Sequence, residues 1–306
     1  MQQLPGLSGK GSLSFTQKLM ACSKLFCSCL LLLKLSFLAT VAHSEALLQI
    51  LPTRVIMEGN DRSATLTLVN QGNEDSAYRM FFRNIRMSDH GEFQILTDSD
   101  DVSEELFADS MLRFSPRRIT IEGASKQTIR IVARKPKDLA PGEYRSHMVF
   151  RRLPNQQSIL DSQASDNLTL SIQPIVEVTI PVIVRHGELT ASIELSNAEL
   201  VQSETETLLR VSINREGNRS LYGNLNVEAV TAEGSRLPVA EARGISVYYP
   251  NKKRIFEIPL LSTLHSSEEA VDQRRKLLDS ASALSISFTE NATYGGKERH
   301  AIELSL

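Results

Sequence analysis

After Glu45 the chain is written in short runs in which apolar and polar residues alternate, among them SATLTLVN, YRMFFRNIRM, LRFSPRRITI, KQTIRIVAR and GEYRSHMVFRRL, broken by NQGNED, SDHGE, EGAS and APG. A period of two puts successive side chains on opposite faces of a strand, and turn residues between such runs predict an antiparallel β-sandwich. The longest run, DNLTLSIQPIVEVTIPVIV (166–184), carries an apolar side chain or proline at every even position from Leu168 to Val184. Thr169, Ser171, Gln173 and Glu177 take odd positions, and Pro174 and Pro181 put a proline on each face. Proline removes a ladder donor, so such a strand is expected at a sheet edge.

The alternation restarts after RHGEL with LTASIELSN, TLLRVSINR, YGNLNVEAV, ISVYYP, RIFEIPLL, ALSISFTEN and HAIELSL. A boundary at His186 and Gly187 divides the chain into two all-β, immunoglobulin-like sandwiches, residues 45–185 and 186–306, each of the usual size for such domains. Residues 266–280, SSEEAVDQRRKLLDS, have a serine cap, early acids and later bases, which predicts a short helix. SEELFADSM reads as a helical turn.

Residues 1–44 differ from all of this. They hold four lysines, no acid and the apolar run LFCSCLLLLKLSFLATVAHS, ending in the small-x-small triplet Ala42, His43, Ser44. That is the pattern of a secretory signal cleaved before Glu45, and it predicts an exported protein. Lys34 interrupts the run, which is short for a membrane span. All three cysteines (Cys22, Cys27, Cys29) lie in this leader, so the expected mature chain relies on core burial and not on disulfides. Its 30 basic and 36 acidic residues leave it mildly negative, which argues against nucleic acid as a partner.

Catalytic constellations are missing from the sequence. There is no G-x-S-x-G elbow, H-E-x-x-H pair, phosphate-binding loop or dinucleotide fingerprint. His90, His147, His186, His265 and His300 lack ligand spacing, and TDSDDVSEE lacks the glycine and ligand order of a calcium loop, so no metal, cofactor or enzymatic activity is expected.

LLQILPTRVIMEGNDRSATLTLVNQGNEDSAYRMFF resembles the first strands of the periplasmic pilus assembly chaperones, the PapD-like family, in which an apolar edge strand carries x-T-R-x-x-x-x-G. RFSPRRITIEGASKQTIRIVARKP resembles that family's arginine-proline turn and following strand, and GEYRSHMVFRRLP with IPVIVRHG resembles its paired last strands. The second domain is similar in length and strand rhythm only. The resemblance implies two sandwiches in a boomerang, a location in the periplasm, and capture of pilus or fimbrial subunits by lending them a strand before handing them to an outer-membrane usher. An exported structural or adhesive surface protein is the alternative that the periodicity alone permits.

Under the resemblance, the lent strand is the run 166–184, with Leu168, Leu170, Ile172 and Val176 as candidate donor side chains. Val176 to Val184 serve at least partly as the domain's own core. Arg54, in PTRVIMEG, matches the arginine that binds a subunit's terminal carboxylate. The lysine that accompanies it in the family falls on Pro181 and is missing. Arg145 and His147 share one face of the neighbouring strand, and Arg145 helped by His147 is the expected replacement. Arg117, Arg118, Arg151 and Arg152 are expected to be structural or solvated. An exposed apolar edge also gives the free protein a route to self-association.

Overall fold

A computed structural model describes residues 48–154, 174–203, 206–261 and 268–306. The expected leader, residues 1–44, and Leu168, Leu170 and Ile172 lie outside the described residues. No helix among the described residues is long and apolar enough to cross a membrane.

In the first half, alternation becomes eleven strands: β1 (Leu48–Leu51), β2 (Val55–Met57), β3 (Ser63–Asn70), β4 (Ser76–Arg83), β5 (Ile85–Met87), β6 (Phe93–Ile95), β7 (Leu112–Ser115), β8 (Arg118–Ile121), β9 (Lys126–Ala133), β10 (Gly142–Arg152) and β11 (Glu177–His186). One sheet has the order β1-β3-β9-β7 and the other β2-β11-β10-β4-β8, while β5 and β6 form a separate hairpin. LLQILPTRVIMEG, read as one edge strand, is two: the chain leaves the first sheet after Leu51 and joins the second at Val55, with Arg54 at the crossing. Pro52 explains the break, since it cannot donate to a ladder. SEELFADSM keeps only a 3-10 turn at Asp109–Met111.

The core between these sheets draws on the even positions that the sequence singled out. Ile180, Val182 and Val184 of β11 pack with Met148 and Phe150 of β10, Leu66 and Leu68 of β3, and Ile129 and Ile131 of β9. Each such side chain contributes on the order of 1.5–3 kcal/mol by leaving water.

The second half has β12 (Ala191–Gln202), β13 (Thr207–Gly217), β14 (Leu221–Thr231), β15 (Arg236–Val247), β16 (Lys253–Pro259), β17 (Ala281–Glu290) and β18 (Arg299–Ser305), in sheets β12-β13-β16 and β15-β14-β17-β18. Its own core gathers Leu209, Val211, Leu225, Val227, Ile286 and Phe288. The helix α1 (Glu268–Asp279) lies within the run whose charge order predicted it.

The two halves meet through polar groups, of which Glu143, Arg185, Arg219, Ser220 and Glu290 are buried. Glu143 of β10 accepts from Arg185 Nε at 3.0 Å and from the backbone and hydroxyl of Ser220, just before β14. Arg185 Nη1 reaches Glu58 at 3.2 Å and the carbonyl of Tyr294 at 3.3 Å. Nearby, Arg219 grips Glu290 with both nitrogens at 2.7 and 3.1 Å. Asn251 Nδ2 also donates to Met87 O, so the β5–β6 hairpin belongs to the same junction.

Candidate functional site

The open side of β11 is defined by its hydrogen-bond register. Arg152 N donates to Val176 O at 3.0 Å, and the antiparallel ladder with β10 runs from Glu177 opposite Arg151 to His186 opposite Gly142. In such a ladder bonded pairs alternate with non-bonded ones. Even residues of β11 therefore bond to β10, and the peptide groups of Glu177, Thr179 and Pro181 face outward. The parallel partner β2 covers this outer edge only at Val182–Val184. From Glu177 to Pro181 the edge is uncovered among the described residues. Pro181, whose nitrogen carries no hydrogen, sits where it costs the sheet no ladder bond. Ahead of the strand Ile175 and Val176 are 69% and 45% exposed, so Val176, unlike Ile180 and Val182, contributes little to the core.

Arg54 immediately precedes Val55, which pairs with Val182, so Arg54 stands beside Pro181, and His147 of β10 lies opposite Pro181 on the other side. Arg145 is opposite Ile183 on the next row with the same facing. The sheet thus brings Arg54, Arg145 and His147 to one place, with Pro181 between Arg54 and His147.

All three side chains are buried. Arg54 Nη2 donates to Ser246 Oγ at 2.6 Å and Tyr248 Oη at 3.0 Å, and its Cζ lies 4.0 Å from the Tyr222 ring centre. Arg145 Nη2 donates to the carbonyl of Ile85 at 3.1 Å, and its Cζ sits 3.8 Å from the centre of the Tyr248 ring. The same ring lies 5.2 Å from Arg54 Cζ, so both guanidinium groups converge on one aromatic ring. Neither arginine has an acidic partner among the described residues. Arg54 Nε and Arg145 Nη1 make no hydrogen bond. Burial pulls the pKa of Arg145 below the ordinary arginine value, opposed by Tyr248 and Glu143.

His147 supplies no cation. Its ring packs edge-on to Phe93 and Tyr248 at 5.9 and 6.1 Å between centres, and both ring nitrogens lack partners. Burial first, then Arg145 and Arg54, pushes its pKa down to about 3. The expected help from His147 is thus that of a neutral ring, and the positive charge comes from the arginines alone.

The sequence reading missed the half of this site that comes from the second domain. Ser246 and Tyr248 lie on alternate positions of ISVYYP, and Tyr222 lies in β14, but nothing local marks them as partners of a residue more than 160 positions away. It also missed Phe93, whose exposure at 59% is unusual for so large an apolar ring.

No family model and no curated protein matches this sequence. Among solved structures the chain is similar to the YadV chaperone, at 13% identity and a TM-score of 0.44, covering 84% of this chain and 99% of that one. The CupB2 chaperone of Pseudomonas aeruginosa aligns at 12% identity with a TM-score of 0.40 over 84% and 100% of the two chains. A chain of the CsuC–CsuE chaperone–tip adhesion subunit pre-assembly complex of Acinetobacter baumannii aligns at 12% and 0.42 over 84% and 98%.

Proposed function

We propose that this protein is an exported, non-enzymatic chaperone of the periplasm that captures pilus or fimbrial subunits by lending them the strand leading into β11, and passes them to an outer-membrane usher. The observation that carries this reading is the pair of buried guanidinium groups, Arg54 and Arg145, which among the described residues have no acid and lie at the end of an uncovered strand edge. An unpaired buried charge is strongly unfavourable, and an incoming carboxylate with two acceptor oxygens relieves it.

The topology also sets the direction of the guest. β2 runs parallel to β11 and begins just after Arg54. A guest strand that occupies the edge at Glu177–Pro181 and ends with its carboxylate on Arg54 must therefore run parallel to β11 and meet β2 end to end. Backbone pairing along Glu177 and Thr179 supplies affinity that does not depend on guest sequence. Val176, and ahead of it Ile172, Leu170 and Leu168, have the parity to enter a guest's groove from alternate positions. Tyr248 holds both arginines in place. Release requires only a better-fitting strand, with no nucleotide or metal.

The test is purification of the mature protein from its native periplasm through a tag at Leu306, beside a Leu170→Asp variant, with copurifying proteins identified by mass spectrometry. Small sandwich-type subunits bound one to one by the wild type and lost from the variant are expected. Equal recovery with both proteins, or no specific companion, would leave the strand as ordinary core and overturn the reading.

A further inference from the structure

The hairpin of β5 and β6 has an apolar face that is covered on one strand and open on the other. Its ladder sets Ile85 opposite Ile95 and Met87 opposite Phe93, and residues opposite each other in a ladder face the same way. Ile85 and Met87 are 7% and 2% exposed, whereas Ile95 and Phe93 are 54% and 59% exposed. The β6 half of the face is thus open among the described residues. Large apolar side chains left bare beside a buried charge call for an occupant that answers both.

The covered half of this face belongs to the arginine site. Met87 packs with Ile183, Tyr248 and the partly buried Ile56. Ile183 lies opposite Arg145, and Ile56 follows Arg54 by two residues. The open half continues from there, since the Phe93 ring lies 6.4 Å from that of Tyr248 and 5.9 Å from that of His147, centre to centre. Tyr248 is the ring on which Arg145 rests at 3.8 Å and Arg54 at 5.2 Å. One ring therefore separates the exposed Phe93 from both guanidinium groups. Aromatic rings pack at centre separations of about 4.5–7 Å, so a single aromatic amino acid whose carboxylate rests on the arginines can reach Phe93 with its ring. Pro181, between Arg54 and His147, puts no polar side-chain atom in the way.

We propose that Phe93, with Ile95 beside it, reads the last side chain of a polypeptide whose terminal carboxylate lies on Arg54 and Arg145, and selects a terminal residue that carries an aromatic ring. The inference rests on the carboxylate site of the proposed function, but not on the guest being a pilus subunit. Charge recognises that a chain ends, and the open apolar face recognises which residue ends it. A small terminal side chain would leave Phe93 and Ile95 in water.

The experiment uses three hexapeptides that share five alternating serine and threonine residues and end in phenylalanine, in alanine or in phenylalanine amide. Titrated into the mature protein and followed by calorimetry, the phenylalanine peptide is expected to bind about tenfold more tightly than the alanine peptide, and the amide to lose most of its affinity. Phe93→Ala, altered at an exposed position and checked for an unchanged melting profile, should bring the phenylalanine peptide down to the affinity of the alanine peptide. Phe93→Tyr should keep the difference. Equal affinities of the two acids for the wild type, a preference that survives Phe93→Ala, or no binding by any of the three overturns the proposal. A wild type that sediments as a dimer and becomes monomeric on Phe93→Ala also overturns it, because a second copy then covers the open face. If the preference stands while the periplasmic copurification finds no subunits, the chaperone reading alone falls. Captured subunits with no preference for a terminal ring would leave that reading in place and remove this one.

Discussion

Two rows of side chains, one in each half, pass through an arginine on the middle of three adjacent strands, and they are opposites. Glu199–Arg210–Glu257 closes on itself, whereas Arg118–Arg79–Arg151 sets three arginines side by side, of which only Arg151 meets an acid, Glu177. The second half's row gives its central arginine two acids, and the first half's leaves its central arginine without one among the described residues. Enclosed charge is met in both ways in each half: Arg185 is paired with Glu143 and Arg219 with Glu290, whereas Arg54 and Arg145 in the first half, like Arg215 in the second, have aromatic rings and neutral acceptors only.

The largest expected effect lies where the two patterns join. Glu143→Ala leaves buried Arg185 with only the exposed Glu58 as an acid and removes the acceptor of Ser220, and breaking a buried pair in this way should cost about 3 kcal/mol in urea unfolding. If the loss is below about 1 kcal/mol, the junction is not the enclosed network described above. Next comes pH. The folded His147 ring takes a proton only near pH 3, because of burial and then the neighbouring arginines, while in the unfolded chain it does so near 6.5. Between those values the unfolded state binds more protons, so stability falls as pH falls, by about 2 kcal/mol between pH 6.5 and pH 5. His147→Phe should flatten that part of the profile. A wild-type profile that is already flat over this window would show that the ring is not held neutral.

Smaller changes probe the rows themselves. Arg210→Gln should lower stability only slightly, since it and its partners are exposed. Arg79→Gln should do the reverse and raise the melting temperature slightly, by removing two like-charge oppositions worth a few tenths of a kcal/mol. If the two variants change stability in the same direction, the contrast between the halves has no energetic meaning.

Much of the fold was legible because burial in a sheet imposes a period that one strand reveals alone. The even positions of β11 point inward from Ile180 to Val184, as their spacing requires, and the order of acids and bases in 268–279 marks α1. Arg54 could be named through a family pattern, with Pro181 as the departure from it. What could not be read was anything set by register between distant strands. The opposition of Arg118 to Arg79 depends on how β8 aligns with β4, and the tyrosine that holds Arg54 and Arg145 arrives from β15's exit, nearly 200 residues after the first of them. The neutral state of His147 was hidden for the same reason, because its first cause is burial, against Phe93 and Tyr248 among others, and only then the charge of Arg145 two residues away and of Arg54.

The short reach of β2 has a last consequence. Because it covers β11 only from Val182 onward and starts just behind Arg54, it closes one end of the vacant edge. On the proposed reading, a site built this way works like a ruler with a fixed zero: it would fix where a guest chain stops, through backbone pairing that does not depend on how the chain is spelled. Adding one residue beyond the guest's natural end slides every alternate side chain onto the wrong face, while many changes inside the chain leave the measurement unaltered.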